Sequence, residues 1–209
     1  MKLILCDLNI NLIKSWHKFI KQNPNVEIIN GSIFDLKCDA LVSPTNSFGF
    51  MDGGLDLKIS RFFGWHVQEK LQKIIKEKYH GELLVGMAEI IKTGKEKIQY
   101  VISAPTMRVP MILKNLVNVY LATRAIFLLV KYGKFKNGNL IKEKVKKIAI
   151  PGMGTGVGKL PYDICALQMK RAIDEIFYEK YEFPKTWQEA QKRHQLLYRQ
   201  NIKNMQFEI

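Results

Sequence analysis

The stretch that decides the fold is Asp39–Gly64, with the sequence DALVSPTNSFGFMDGGLDLKISRFFG. Its first five residues form a short apolar run that favours a buried β-strand, and Pro44 ends this run. A polar, glycine-rich loop then runs from Thr45 to Gly54, and a helical pattern begins near Leu55. The stretch therefore predicts a strand, a loop and a helix in succession, which is a repeating unit of α/β folds.

A second glycine-rich loop, Pro151–Pro161 (PGMGTGVGKLP), also follows a predicted strand and precedes a predicted helix. Ligands of open α/β sheets lie beyond the carboxyl ends of the strands. Glycine lets the backbone approach a ligand closely, and backbone N–H groups at a helix N-terminus attract phosphate. Two such loops therefore predict a cleft that holds a diphosphate mainly through main-chain groups.

Strand-forming and amphipathic runs alternate along the whole chain, without an internal repeat or a low-complexity segment. The predicted strands are Lys2–Cys6, Val26–Ile29, Asp39–Ser43, Gly86–Lys92, Tyr100–Ala104 and Lys147–Ile150. The predicted helices are Ile10–Ile20, Leu55–Glu77 with a break at Gly64, Asn115–Val130, Asp163–Tyr178 and Thr186–Asn201, and Gly133–Lys144 is a basic linker. This alternation predicts a layered α/β fold with a mixed, largely parallel sheet.

Length and composition fit one globular domain. The chain has 209 residues, of which 47% are hydrophobic and 25% charged, enough for one sizeable core. Because Pro184 marks a boundary, we assign residues 1–183 to the domain and residues 184–209 to a C-terminal helical extension packed on it. The cysteines Cys6, Cys38 and Cys165 are too scattered for a disulfide framework, so we expect buried free thiols.

Apolar stretches in this chain are short. The longest, Ala125–Val130, is far too short to span a membrane, and the apolar run at the start is too short for the core of a signal peptide. We therefore expect a soluble, cytoplasmic protein with no membrane partner.

The net charge of +14 arises from 33 basic and 19 acidic residues. An excess of this size suits a polyanionic partner such as nucleic acid, a nucleotide or an acidic protein. However, the lysines are spread through the sequence, for example over Lys70–Lys78 and Lys142–Lys147, and lysine-rich usage also fits a genomic bias. Charge alone therefore leaves nucleic acid open as a partner without specifying it.

Neither glycine-rich loop carries a common nucleotide-binding motif. The second loop contains Gly152-Met153-Gly154-Thr155-Gly156 rather than the dinucleotide pattern G-x-G-x-x-G, and Lys159 is not followed by Ser or Thr as in a P-loop. The four histidines are isolated, without metal-ligand spacing. We therefore expect no metal and no cofactor, and the simple kinase and ATPase classes are disfavoured.

The two loops together resemble those of the macro domain family. Asn46 matches the last Asn of the family's N-A-A-N pattern, and Gly53-Gly54-Leu55-Asp56 matches its G-G-V-D. Asp56 lies ten residues after Asn46, as in the hydrolase branch. Gly154–Pro161 is similar to the family's diphosphate loop, and Val101–Thr106 to its strand that ends at the ligand. The resemblance spans about residues 26–178 and implies a three-layer α/β/α sandwich.

The resemblance also implies a function and site residues. Members of the family bind ADP-ribose, and hydrolase members remove ADP-ribosyl groups from proteins or cleave related esters. In this chain it implies that Asp56 orients or activates water and that Asn46 anchors the distal ribose. The remaining expected ligand-binding residues are Ser32, Ile33, Asp52, Gly53, Gly54, Pro105, Thr106, Gly152, Gly154, Thr155, Gly156, Val157 and Gly158.

Two of these roles have a purely structural alternative. Asp56 also suits the first turn of a helix, where a carboxylate is favourable, and Asn46 also suits a cap of its own loop. Asp52 is a second carboxylate in the same loop, and the sequence does not rank it below Asp56.

The sequence departs from the family pattern at both ends of the expected ligand. Family members carry G-D-I, whose Asp binds the adenine amino group, whereas this chain has Gly31-Ser32-Ile33, with Asp35 as a candidate substitute. The aromatic residue that covers the distal ribose is replaced by Gly158. That side is expected to be open unless one of three nearby side chains covers it, namely Phe48, Phe50 or Met51.

Three functions stay open at this point. The first is an ADP-ribosyl hydrolase, favoured by the Asn46–Asp56 pair. The second is a non-catalytic module that binds ADP-ribose or an ADP-ribosylated protein. The third is a basic macro-like domain that binds nucleic acid, favoured by charge alone.

Overall fold

The computed structural model of the chain describes residues 1–199. Six strands form one mixed sheet: Lys2–Asp7 (β1), Val26–Asn30 (β2), Ala40–Ser43 (β3), Glu89–Lys92 (β4), Tyr100–Ser103 (β5) and Lys147–Ile150 (β6). Their order is β2-β1-β6-β3-β5-β4, and every neighbouring pair is parallel except β4 with β5. The predicted mixed, largely parallel sheet is confirmed.

Helices cover both faces of the sheet. They are Ile10–Phe19 (α1), Gly54–Phe63 (α2), His66–Lys78 (α3), Asn118–Tyr132 (α4), Ile141–Lys144 (α5), Tyr162–Ala172 (α6) and Trp187–Gln195 (α7). The helices α1, α4, α5 and α6 contribute to one hydrophobic core, and α2 and α3 contribute to the other. These layers confirm the α/β/α sandwich that the resemblance implied.

Alternation along β1 explains why there are two cores. Leu3 and Leu5 point into the core on the α1 side, whereas Ile4 and Cys6 point into the core on the α2 side. All four are almost completely buried, as expected for a central strand of a largely parallel sheet. Burial of each such aliphatic side chain contributes about 1.5–3 kcal/mol. The sheet is therefore a rigid support for the loops at its ends.

Three parts of the chain before α7 differ in secondary structure from the prediction. Strand β4 begins at Glu89 rather than Gly86, because Gly86 has a φ of +96° that breaks the extended backbone. The predicted linker Gly133–Lys144 contains α5, whose Ile141 is fully buried and fastens the segment to the core. The helix expected to reach Tyr178 changes to a π-helical turn after Ala172.

The C-terminal helix begins where Thr186 caps it, because the Thr186 hydroxyl accepts a hydrogen bond from the Glu189 N–H. Its far end packs on the rest of the chain: Leu197 is buried, and its carbonyl accepts a hydrogen bond from Gln168 Nε2 at 3.3 Å. The helix ends at Gln195, earlier than predicted, since residues 196–198 form a turn; the predicted end at Asn201 lies outside the described residues. The division of the chain at residue 184 stays a prediction.

The three cysteines are free and buried, as predicted. Burial is the main cause that raises the pKa of Cys6 to about 11 and that of Cys165 to about 12, so these thiols stay protonated at neutral pH. Within residues 1–199, no helix is both long and apolar enough to cross a membrane.

Candidate functional site

Both glycine-rich loops border one cleft at the carboxyl ends of the parallel strands. The cleft has a volume of about 670 Å³, within the usual range of about 300–1,000 Å³ for small-molecule sites. The predicted site residues that line it are Ser32, Ile33, Asn46, Asp52, Gly53, Gly54, Asp56, Thr106, Gly152, Gly154, Thr155, Gly156, Val157 and Gly158. Pro105 is buried and does not line the cleft.

The second loop is held against the end of β1. The Gly152 N–H donates to Asp7 Oδ2 at 3.0 Å. A Cβ atom at position 152 would lie 2.4 Å from Leu12 Cδ2 and 2.8 Å from that same Asp7 oxygen. A side chain at position 152 would have to displace the ends of the Leu12 and Asp7 side chains, so glycine suits the close approach of this loop to the end of β1.

The far end of the second loop is equally close-packed. A Cβ atom at position 158 would lie 2.5 Å from the Gly154 carbonyl oxygen and 2.8 Å from Leu113 Cδ1. The Gly158 carbonyl also accepts a hydrogen bond from the Leu113 N–H at 2.8 Å. An aromatic side chain in the family position therefore has no space in this chain.

The side chain of Asn46 organises the first loop from within. Its Oδ1 accepts hydrogen bonds from the N–H groups of Phe48 at 3.1 Å and Phe50 at 3.3 Å, and its Nδ2 donates to the Phe50 carbonyl at 2.8 Å. The amide therefore has partners on both sides while it lines the cleft. These bonds match the loop-capping alternative for Asn46, and its expected contact with ribose stays a prediction.

Asp56 lies in the first turn of α2, and its side chain points towards β3. Its carboxylate accepts a hydrogen bond from the Ser43 hydroxyl at the end of that strand. Burial raises the pKa of Asp56 to about 6, partly offset by the Ser43 and Thr45 hydroxyls, while the nearby charge of Asp52 raises it further. A carboxylate with a pKa close to neutrality is suited to general acid–base chemistry. Asp52 is exposed at the cleft wall.

Two threonine hydroxyls form a buried polar part of the cleft. Thr45 and Thr106 are almost completely buried, and both line the cleft. Neither hydroxyl has a hydrogen-bond partner of normal geometry within residues 1–199, so the effect of Thr45 on Asp56 is that of a nearby dipole. Because buried polar groups are normally hydrogen-bonded, these two hydroxyls favour a polar ligand in the cleft.

At the opposite end of the cleft, Ser32 begins a 3₁₀ turn, Ile33–Asp35. The Ser32 hydroxyl accepts a hydrogen bond from the Phe34 N–H at 3.3 Å and still has its own proton to donate. Asp35 is exposed and does not line the cleft, so it does not substitute for the missing family Asp.

Among the three side chains expected near the mouth, only Phe50 lines the cleft. Phe50 is 53% exposed. Met51 is fully buried in the core beside α2, and Phe48 lies under the Arg108 guanidinium, 5.3 Å from its ring centroid. Phe50 and the exposed Val157 therefore form the apolar rim.

Comparison with known proteins agrees with this geometry. The Macro domain family model matches residues 42–169, which include both glycine-rich loops. The chain belongs to the macro domain family. A macro domain is therefore the unit that carries the cleft.

Relatives of this macro domain occur in distant organisms. An uncharacterized protein of Aquifex aeolicus is 36% identical over 152 residues, which are 73% of this chain and 81% of that protein. The human protein mono-ADP-ribosyltransferase PARP14 is 31% identical over 159 residues, 75% of this chain but 8% of PARP14. The similarity to PARP14 is thus confined to a small part of that protein.

Solved structures share the fold at lower sequence identity. A mutant of the Oceanobacillus iheyensis macrodomain, solved with ADPR, superposes with a TM-score of 0.59 at 19% identity, covering 71% of this chain and 76% of that one. Thermosipho africanus DarTG in complex with ADP-ribose gives a TM-score of 0.56 at 20% identity, covering 73% of this chain and 45% of that one. At this identity the likeness supports the fold alone.

Sequence reasoning left several polar residues of this macro domain's cleft out of the predicted site, namely Asp7, Asn9, Thr45, Lys58 and Tyr162. Asp7 ends β1 and lines the cleft together with Ser32. Tyr162 begins α6 and also lines the cleft, and its hydroxyl accepts a hydrogen bond from Asn9 Nδ2 at 2.8 Å. Their positions in the sequence could have indicated this, because Asp7 is the last residue of β1 and Tyr162 the first residue of α6, and both elements border the ligand-binding edge of the sheet.

The charges of the cleft are mainly acidic. Three carboxylates, those of Asp7, Asp52 and Asp56, and one amine, that of Lys58, are its charged lining side chains. A bound diphosphate would therefore depend on main-chain N–H groups of the second loop rather than on lysine or arginine. Within residues 1–199, no group of three or more His, Cys, Asp or Glu side chains is arranged to hold a metal ion.

Proposed function

We propose that this macro domain binds ADP-ribose in the cleft and hydrolyses an ADP-ribosyl linkage on a modified protein or a related ester. The observation that carries the proposal is the convergence of both glycine-rich loops on one cleft of about 670 Å³. A cleft of this size suits a dinucleotide-like ligand, and its lining combines main-chain groups, an apolar rim and buried hydroxyls.

Three parts of the cleft suit three parts of ADP-ribose. Residues 154–158 of the second loop offer main-chain donors for the diphosphate, because the Gly152 N–H already donates to Asp7. The adenine end would lie beside Ser32 and Asp7, where a hydroxyl and a carboxylate suit the adenine amino group. The distal ribose would lie towards Asp56, with the Thr45 and Thr106 hydroxyls nearby as partners for its own hydroxyls. Macro domain relatives solved with ADP-ribose support this ligand class.

In the proposed reaction, Asp56 acts on the water that attacks at the distal ribose. The ionised carboxylate accepts a proton from water as the new C–O bond forms, and the bond to the protein side chain breaks with its electron pair on the leaving group. The Ser43 hydroxyl holds Asp56 Oδ1, so in this proposal Oδ2 is the oxygen that accepts the proton. A pKa of about 6 keeps the group mostly ionised at neutral pH yet basic enough to accept the proton.

One observation favours the non-catalytic alternative, in which the domain only binds ADP-ribose. The Asn46 amide is already engaged by the backbone of its own loop, so it has fewer free groups with which to orient a ribose. Binding and turnover therefore have to be measured separately.

The decisive experiment has two steps. Calorimetric titration with ADP-ribose should give one site per chain, and absence of heat and of a thermal shift at millimolar ligand would refute the binding proposal. Release of ADP-ribose from a mono-ADP-ribosylated protein is then compared between the wild type and Asp56→Asn. Loss of release with retained binding supports catalysis by Asp56, whereas a wild type that binds but never releases identifies a binding module.

A further inference from the structure

A row of lysines crosses the end of the sheet opposite the cleft. Parallel strands bring their amino ends to one edge, and the antiparallel β4 brings its carboxyl end to the same edge. In sheet order from β1 to β4, the row consists of Lys2, Lys146 with Lys147, Lys37, Lys97 and Lys92. The Lys2 N–H donates to the Lys146 carbonyl at 2.6 Å, and Lys92 is the register partner of Tyr100 in β5.

We define the basic edge as Lys2 with residues 37–39, 92–97 and 134–147. It contains eleven lysines and three carboxylates, a net charge of +8 out of +14 for the whole chain. Ten of these lysines are exposed and Lys147 is half-buried. Within residues 1–199, none of the eleven forms an ion pair with a carboxylate.

The few acidic groups of the basic edge neutralise little of this charge. Asp39 Oδ2 accepts hydrogen bonds from the N–H groups of Lys146 and Lys147, both at 2.8 Å, so the carboxylate is directed at the backbone. Glu96 and Glu143 are the other two, each between lysines in the sequence. A surface with this imbalance attracts polyanions at long range.

The basic edge does not serve the cleft. Strand β1 separates the two, with Lys2 at one end and the cleft residue Asp7 at the other, about 17 Å apart at the usual rise per residue. Lys58 is the single lysine among the cleft-lining residues, and it does not belong to the basic edge. A ligand in the cleft therefore leaves this positive surface uncovered.

We propose that the basic edge binds single-stranded nucleic acid, a function separate from that of the cleft. The five strands from β1 to β4 span about 19 Å at the usual strand spacing of about 4.8 Å. That length faces about five phosphates of a stacked strand at about 3.4 Å each. Tyr132, the last residue of α4 and 65% exposed, lies two residues before Lys134 and offers an aromatic face on which a base can stack.

The composition of the basic edge favours nucleic acid over an anionic membrane. Membrane-binding basic surfaces combine cations with apolar side chains that enter the lipid. None of the basic-edge residues is an exposed large hydrophobic residue, and the exposed hydrophobic residues next to it in the sequence are Met1 and Tyr132. Its partly buried Phe135 packs instead on Tyr100 of β5, with ring centroids 5.4 Å apart.

The test compares two triple variants that lower the net charge equally. Lys37→Glu/Lys92→Glu/Lys146→Glu alters the basic edge, and Lys14→Glu/Lys76→Glu/Lys192→Glu alters lysines on three helices away from it. Binding of a fluorescein-labelled oligo(dT) of about twenty nucleotides is followed by anisotropy. In about 50 mM salt the first variant should bind at least about tenfold more weakly than the wild type, and its slope of log K against log salt should be smaller in magnitude by about 2. The second variant should change affinity by less than about threefold.

Several outcomes would overturn the proposal: no binding of oligo(dT) by the wild type, an equal loss in both variants, or displacement of oligo(dT) by saturating ADP-ribose. Binding to phosphatidylserine vesicles but not to oligo(dT) would assign the surface to membranes instead. Thermal melts check that each variant folds. If the basic-edge triple variant does not fold, the single variants Lys37→Glu and Lys92→Glu are measured in its place. Because the cleft is not involved, failure of this proposal leaves ADP-ribose binding untouched.

Discussion

The Ser43 hydroxyl donates a hydrogen bond to the Asp56 carboxylate, which joins the end of β3 to the first turn of α2. The bond favours the ionised form of Asp56, whereas burial of the carboxylate favours the neutral form. Burial has the larger effect, and the pKa of Asp56 is raised from 3.8 to about 6. The pair therefore determines the pH range in which the proposed base is ionised.

The pH dependence of hydrolysis should report this pair. We expect kcat/KM for ADP-ribose release to rise with pH through an apparent pKa of about 6, because Asp56 must be ionised to accept a proton. Ser43→Ala removes a donor to the ionised form, so the rise should move to higher pH by about one unit.

Ser103→Ala is the matched control for this prediction. Ser103 is the register partner of Ser43 in β5, and it is fully buried without a hydrogen-bond partner for its hydroxyl within residues 1–199. The same side-chain change one strand away should leave the pH profile in place. An equal shift in both variants would show that Ser43 does not act through Asp56.

The stability of the fold should also depend on Asp56. Its pKa in the folded state, about 6, lies above the ordinary value of 3.8, so the folded state binds the proton more tightly and stability is lost as pH rises from about 4 to about 6. Asp56→Asn removes that loss and keeps an acceptor for Ser43. At pH values about two units above the folded pKa, it should stabilise the domain by about 3 kcal/mol in urea unfolding. Asp52→Asn, a change of an exposed carboxylate, should have little effect.

Asn46 should matter for folding as well as for the ligand. Its amide holds Phe48 and Phe50 in the first loop, so Asn46→Ala should lower stability by about 2 kcal/mol and weaken ADP-ribose binding together. Asn46→Asp keeps the acceptor for both N–H groups and should fall between the wild type and the Ala variant. A variant that loses affinity at unchanged melting temperature would point instead to a direct contact with ribose.

Much of this fold was accessible from local sequence patterns. Apolar runs of strand length and amphipathic runs of helix length are local features, and they placed β1, β3, β5 and β6 close to their observed positions. The glycine-rich loops marked one edge of the sheet for the same reason, because each follows a strand directly. Two differences from the prediction are explained by the structure: β4 starts late because of the backbone conformation of Gly86, and α5 forms where Ile141 packs into the core.

Contacts between residues that are far apart in the chain could not be predicted from the sequence. Asp7 and Gly152 are 145 positions apart and touch only because β1 and β6 pair in register. The basic edge arises in the same way, since Lys2, Lys92 and Lys146 converge only through strand order. Side-chain direction was equally hidden: the loop-capping bonds of Asn46 were one of two alternatives, and the bond from Ser43 to Asp56 was not predicted.

Asp7 supports the second loop, and its removal should weaken ligand binding. Its carboxylate accepts hydrogen bonds from the N–H groups of Asn9 at 2.8 Å and Gly152 at 3.0 Å. Asp7→Ala should lower ADP-ribose affinity about tenfold, because a hydrogen bond to a charged group contributes about 1.5–3 kcal/mol. Calorimetry of Asp35→Ala, a change of an exposed carboxylate outside the cleft, should give wild-type affinity. Equal losses in both would disprove a specific role of Asp7.

The two glycines Gly158 and Gly156 should respond very differently to the same small change. A Cβ atom at position 158 would lie 2.5 Å from the Gly154 carbonyl oxygen, a backbone atom that cannot move without shifting the loop. A Cβ atom at position 156 would meet nothing within 4 Å. Gly158→Ala should therefore cost about 1–3 kcal/mol of stability and detach Leu113 from the loop. Gly156→Ala should melt like the wild type. Equal melting temperatures for the two variants would show that the close packing at position 158 does not constrain the loop.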